Sequence, residues 1–156
     1  EFGGCFLNKR LNRNNDGGTT RRTTDIFQLA TTVLFQNPVQ NFALAPNNLK
    51  DVSPVCMDYM KTVPTTWDET CFIDGYPGKY VVLARRHGNT WYLAAVNAGK
   101  EIVKLKLDLD MFAGKTVSLY KDDKKGEPQL VTLKVKESGK VQLEILPQGG
   151  VVLVNN

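Results

Sequence analysis

Histidine occurs once in this sequence, cysteine three times, and no apolar run is long enough to cross a membrane as a helix. Each scarcity removes a class of function. A lone His87 and the lack of any CxxC pair leave no zinc or haem spacing. Cys5, Cys56 and Cys71 are odd in number and widely spaced, so at most one internal disulfide can form, and free buried thiols fit better. No basic-then-apolar leader is present, and the opening Glu1-Phe2-Gly3-Gly4, without an initiator Met, reads as the middle of a longer chain or as a cloning scar. Concentrated charge is missing too. The 20 Lys and Arg against 16 Asp and Glu give a net charge of +4, but the basic residues come as doublets: Arg21-Arg22, Arg85-Arg86, Lys124-Lys125. A nucleic-acid surface wants a basic face interleaved with aromatics, so nucleic acid is not an expected partner.

What is present supports a packed core: 42% of the 156 residues are hydrophobic. They are unevenly placed. The stretch 3–20 offers few anchors beyond Phe6 and Leu11, and the turn cluster Asn14-Asn15-Asp16-Gly17-Gly18 predicts a mobile segment. Residues 24–36 predict a helix capped by Thr24 or Thr23, with Asp25 at its positive end and Ile26, Phe27, Ala30, Val33 and Leu34 at helical spacing. Asn37-Pro38 stops it. The run 39–44 then reads as a short buried strand, the alternative being a kinked continuation of the helix into a helical hairpin. A loop at 45–48 follows, then a helix over 54–61 with proline in its first turn, carrying Val55, Met57, Tyr59 and Met60. A single parallel strand would leave backbone groups unpaired on both sides, so this helix–strand–helix order expects neighbours beyond these residues.

From Tyr80 the period changes to two. Strands are expected at 80–85, 91–96, 102–107, 116–120, 130–135, 141–146 and 151–154, the first two joined by a hairpin at His87-Gly88-Asn89. Val131, Leu133 and Val135 alternate with Thr132, Lys134 and Lys136, one face dry and one wet. The fold class is therefore mainly β: a C-terminal antiparallel β-sandwich over 63–156, preceded by a helix–strand–helix unit over 1–62.

Specific phrases carry a resemblance. Val63-Pro64-Thr65-Thr66-Trp67-Asp68-Glu69-Thr70, then Asp74-Gly75-Tyr76-Pro77-Gly78-Lys79-Tyr80, Ala84-Arg85-Arg86 and Trp91-Tyr92, resemble the C-terminal part of glycoside hydrolase family 97, bacterial α-glucosidases and α-galactosidases. Upstream, Phe6-Leu7-Asn8-Lys9, Thr20-Arg21-Arg22, Gln28-Leu29-Ala30 and Asn37-Pro38-Val39-Gln40 look like segments that close that family's catalytic barrel. The resemblance implies that 1–62 is the terminal portion of a (β/α)8 barrel, with 39–43 similar to its eighth strand. Leu44 stands where many members carry an acidic residue. It further implies a periplasmic or secreted parent enzyme that hydrolyses α-galactosides or α-glucosides with paired carboxylates and a calcium ion held by glutamates. Those residues correspond to segments before residue 1, so no catalytic, cofactor-binding or metal-binding residue is assigned to this chain, and the β-domain is expected to brace the barrel.

The remaining candidates read blandly. Asp68 and Glu69, beside Trp67, are adjacent in an extended segment and should point to opposite sides, a poor geometry for a catalytic pair. A junction strand is expected instead, with Trp67 packed between the two parts. His87 reads as an exposed turn residue. Asp108, Asp110, Asp122 and Asp123 read as solvated turns, since no calcium-loop pattern joins them. Arg21 and Arg22 should be exposed unless a barrel carboxylate meets them. Two other classes remain: a carbohydrate-binding module using Trp91, Tyr92, Tyr76 and Tyr80, and an assembly domain in which bared Phe27, Leu34 and Phe42 pair two copies of the fragment.

Overall fold

A computed structural model describes residues 3–10, 18–44 and 46–155. The expected turn at 14–17, the anchor Leu11, the opening Glu1-Phe2 and the loop residue Ala45 lie outside the described residues. The N-terminal unit runs β1 (Gly3–Phe6), α1 (Asp25–Leu34), β2 (Gln40–Ala43), a 3-10 turn (Pro46–Asp51) and α2 (Pro54–Met60). Eight strands follow: β3 (Glu69–Tyr76), β4 (Tyr80–His87), β5 (Thr90–Asn97), β6 (Val103–Asp108), β7 (Thr116–Asp122), β8 (Pro128–Lys134), β9 (Lys140–Ile145) and β10 (Gly150–Asn155).

The chain is mainly β and its larger sheets are antiparallel, as expected. Six strands form one sheet in the order β3-β4-β5-β10-β7-β8, and β6 pairs with β9 in a separate ribbon. Every strand in this sheet runs antiparallel to its neighbours. The β4–β5 hairpin closes on Gly88-Asn89, where Gly88 has φ +57, a left-handed position that suits glycine.

Both faces of the large sheet are dry at its central strands β5 and β10, and that explains a feature of its sequence. On one face Val82, Ala84, Leu93, Ala95, Val117, Val151 and Leu153 pack against Leu105, Leu107, Val141, Leu143 and Ile145 of the β6–β9 ribbon. On the other, Tyr92, Ala94, Val96 and Val152 meet Ile26, Leu29, Ala30 and Val33 of α1. A strand covered on both sides needs apolar residues at every position, hence the unbroken Trp91-to-Val96 run. β6 and β9, covered on one side only, keep a strict alternation.

Both helices start as read. The Thr24 hydroxyl accepts the Phe27 N–H at 3.1 Å, and Ser53 caps α2 with Pro54 in its first turn. Two expectations need correction. The strand at 39–44 has a partner: β1 pairs with it in parallel, Cys5 opposite Phe42. The stretch expected to lack anchors supplies Cys5 and Leu7, both 1% exposed, whereas the expected anchor Phe6 is 42% exposed. A four-residue strand with one apolar face is too short for periodicity to show. β2 is also not deeply buried: its four residues are exposed or half-buried.

Candidate functional site

The described residues place their unusual polar groups along α1, where it lies on the sheet. At the helix start the Thr24 hydroxyl donates to Asp122 Oδ2 at 2.9 Å, and the same oxygen accepts the Gly150 N–H at 3.0 Å. The Thr24 N–H donates to the Gln148 carbonyl at 3.0 Å. Gly150 makes this approach feasible, because a Cβ there would stand 2.8 Å from the Phe27 Cα. Burial pushes the Asp122 carboxyl up to about 6, partly opposed by those two hydrogen bonds, and its Oδ1 is buried without a partner.

At the helix end the arrangement is electrically opposite. Arg85, 1% exposed, donates from its guanidinium to the carbonyl of the C-cap residue Phe35 at 2.8 Å. Its guanidinium also stands 5.7 Å from the Trp67 ring centroid, and Trp67 meets Tyr92 edge-on at 5.3 Å. Burial draws the Arg85 pKa down from its ordinary value. The sheet thus presents a carboxylate at the positive end of α1 and a guanidinium at its negative end, the signs that complement a helix dipole. Between them Tyr59 of α2 meets the Thr32 hydroxyl at 3.0 Å, its own ionisation suppressed by complete burial.

The residues singled out from the sequence fall as follows. Asp68 and Glu69 do not diverge as expected: both approach Arg86, at 3.8 and 3.2 Å, and Asp68 also accepts the Gly88 N–H at 2.7 Å. Asp68 precedes β3, so strict strand alternation does not govern it. His87 is exposed, with Nδ1 2.9 Å from the Thr66 carbonyl. Trp67 is half-buried against Tyr92 and the Arg85 guanidinium. Arg21 is not exposed; it forms a buried ion pair with Asp25 and donates to the Thr24 carbonyl at 2.7 Å, while Arg22 is exposed. Asp122 is not a solvated turn residue, whereas Asp123 is, accepting the Lys125 and Glu127 N–H groups at 2.7 and 2.9 Å. Asp108 and Asp110 are exposed.

Among the described residues no group of three His, Cys, Asp or Glu side chains could hold a metal ion. All three cysteines are free thiols; Cys5 and Cys56 are buried, which pushes both up to about 12. Trp91 and Tyr92 point to opposite cores, so they form no shared sugar platform. Sequence reasoning missed Asp122, Thr24 and Arg85 as one clamp. The available signal was Arg85 itself, in phase with Val81 and Leu83 in an apolar strand, which marks a buried cation needing an acceptor.

The fold is an antiparallel β-domain with apolar cores on both sides of its central strands, one of them shared with α1. A family model described as the glycosyl-hydrolase 97 C-terminal, oligomerisation domain matches residues 66–155. The chain belongs to glycoside hydrolase family 97. It is 28% identical over 135 residues to a retaining alpha-galactosidase of Bacteroides thetaiotaomicron, covering 81% of this chain and 20% of that protein. The crystal structure of a beta-arabinopyranosidase superposes with a TM-score of 0.94 at 84% identity, over 97% of this chain and 24% of that one. A family 97 enzyme from Pseudoalteromonas sp. strain K8 in complex with panose gives 0.77 at 29% identity, over 92% and 24% of the two chains. This chain therefore spans a quarter or less of these relatives.

Proposed function

We propose that this chain is the C-terminal portion of a glycoside hydrolase whose catalytic (β/α)8 barrel ends in residues 1–62, and that residues 63–156 brace that barrel. The observation that carries the reading is the clamp on α1. A parallel β1–α1–β2 unit is the repeating element of such a barrel, and two parallel strands alone are too little to be stable. Here the unit is held by Asp122 at one end of its helix and Arg85 at the other. An accessory domain that grips a barrel helix by both termini resists local opening of the barrel wall.

The substrate class follows the relatives. An α-D-galactoside and a β-L-arabinopyranoside share the ring configuration and differ by one hydroxymethyl group, so the activities named for these two relatives are chemically adjacent; α-glucosides are the remaining choice. Paired carboxylates would do the chemistry. Both they and any calcium-binding glutamates would come from residues outside this chain. A periplasmic or secreted location is proposed on family resemblance, to be checked by fractionating cells that make the parent enzyme.

The test is hydrolysis of nitrophenyl α-galactoside, β-L-arabinopyranoside and α-glucoside. The parent enzyme should turn over one of the first two fastest, and the 156-residue chain none of them. Turnover by the chain alone would refute the reading. A second role in assembly is favoured by one observation, the oligomerisation named for residues 66–155. Sedimentation of the parent enzyme with and without those residues tests it.

A further inference from the structure

We propose that the outer edge of β8 is where a second copy of the chain docks, the two β8 strands pairing antiparallel about a two-fold axis at Thr132. The inference rests on the assembly reading above and deepens it by naming the surface, the partner and the register. β8 ends the six-stranded sheet, and its far edge meets no strand among the described residues. The other edges of the β-domain are blunted. β3, at the opposite end of the sheet, is bulged between Phe72 and Asp74, and the β6–β9 ribbon carries Lys104 and Lys106 on one strand and Lys140 and Glu144 on the other. β8 instead keeps its seven residues in unbroken register with β7, and no charge stands between Gln129 and Leu133. The whole of it lies within residues 66–155, the part described by oligomerisation.

Hydrogen bonds fix which backbone groups face out. The Asp123 N–H donates to the Glu127 carbonyl at 2.8 Å and the Val135 N–H to the Lys115 carbonyl at 2.9 Å. Alternation between these two pairs turns Gln129, Val131 and Leu133 towards β7 and leaves the groups of Pro128, Leu130, Thr132 and Lys134 pointing outward. Pro128 has no N–H, so the outward donors are those of Leu130, Thr132 and Lys134. An axis at Thr132 sets Leu130 opposite the partner's Lys134 and Thr132 opposite the partner's Thr132, and each of these donors then faces a carbonyl. An axis at Val131 would set the ring of Pro128 against the Lys134 carbonyl and Gln129 against Leu133. With the axis at Thr132, Val131, 38% exposed, meets the partner's Leu133. Both stand on the face of Val117 and Leu119, so the apolar core under the sheet continues across the axis. On the other face Leu130, 47% exposed, is covered by the stem of the partner's Lys134. Such a contact is self-complementary, as a two-fold interface requires.

The experiment measures sedimentation of the parent enzyme, unchanged and with Thr132→Pro or Val131→Lys. The first removes an outward N–H that β7 does not use, and the second puts a charge on the shared apolar face. The unchanged enzyme should be a dimer at micromolar concentration, and each variant should raise the dimer Kd about tenfold or more. Turnover of the nitrophenyl glycoside should stay the same, which shows that the variants fold. On oxidation, copies carrying Val131→Cys should cross-link with copies carrying Leu133→Cys and not with one another. A parent dimer that both variants leave intact overturns this proposal alone, because another surface then holds the copies together. A monomeric parent overturns it together with the assembly reading. Val131→Cys copies that cross-link among themselves overturn the register.

Discussion

Asp122 is a carboxylate held where its charge is unwelcome. Two hydrogen bonds to Oδ2 favour the ionised form, yet burial outweighs them and its folded-state value rises to about 6 from an unfolded value near 3.8. The folded protein therefore binds more protons than the unfolded chain between about pH 4 and 6, and stability from this group falls as pH rises through that window. Asp122→Asn keeps an acceptor for Thr24 and Gly150 while removing the charge. It should raise stability at pH 8 by about 1–2 kcal/mol and flatten the slope between pH 4 and 6, measured by urea unfolding at several pH values. None of this was legible in the sequence. Asp122-Asp123 reads as an ordinary acidic turn, and only the descent of α1 onto Gly150 separates the two neighbours, one buried and one wet.

At the scale of elements the same logic decides which glycines matter. A Cβ at Gly150 meets the backbone of α1, which cannot move without lifting the helix. At Gly88 a Cβ meets nothing within 4 Å, and only the φ of +57 resists it. Gly88→Ala should accordingly cost about 1 kcal/mol, and Gly150→Ala about 2 kcal/mol or more with faster amide exchange along α1. Similar costs, or unchanged exchange in α1, would refute the close-approach argument. The strands from Tyr80 onward were legible because β6 and β9 alternate cleanly and β4, β5 and β10 are short apolar runs bounded by turn residues. β1 and β3 were not. The first has only four residues, and the second carries a bulge that breaks its period and an edge position that leaves Phe72 exposed.

For the whole molecule, the clamp couples two parts that the sequence presents as separate. Arg85 is the link at one end, and replacing it with Ala removes a stacking partner of Trp67 and leaves the Phe35 carbonyl without its donor. Arg85→Ala should cost about 2–4 kcal/mol and split the loss of helical CD from the change in tryptophan fluorescence; a single coincident transition of unchanged midpoint would contradict the coupling. Arg85→Lys should not restore it, since an ammonium lacks the guanidinium's fork of donors and its weak hydration beside the indole. The chain alone determined the β-rich class, the two capped helices, the hairpin and the family, because periodicity, caps and turn residues are local properties. Tertiary structure alone decided which of two adjacent aspartates is buried, which strand partners β2, and that a carboxylate and a guanidinium from distant strands meet opposite ends of one helix. Those depend on which surfaces exclude water from each other, and the sequence does not state that until the chain has folded.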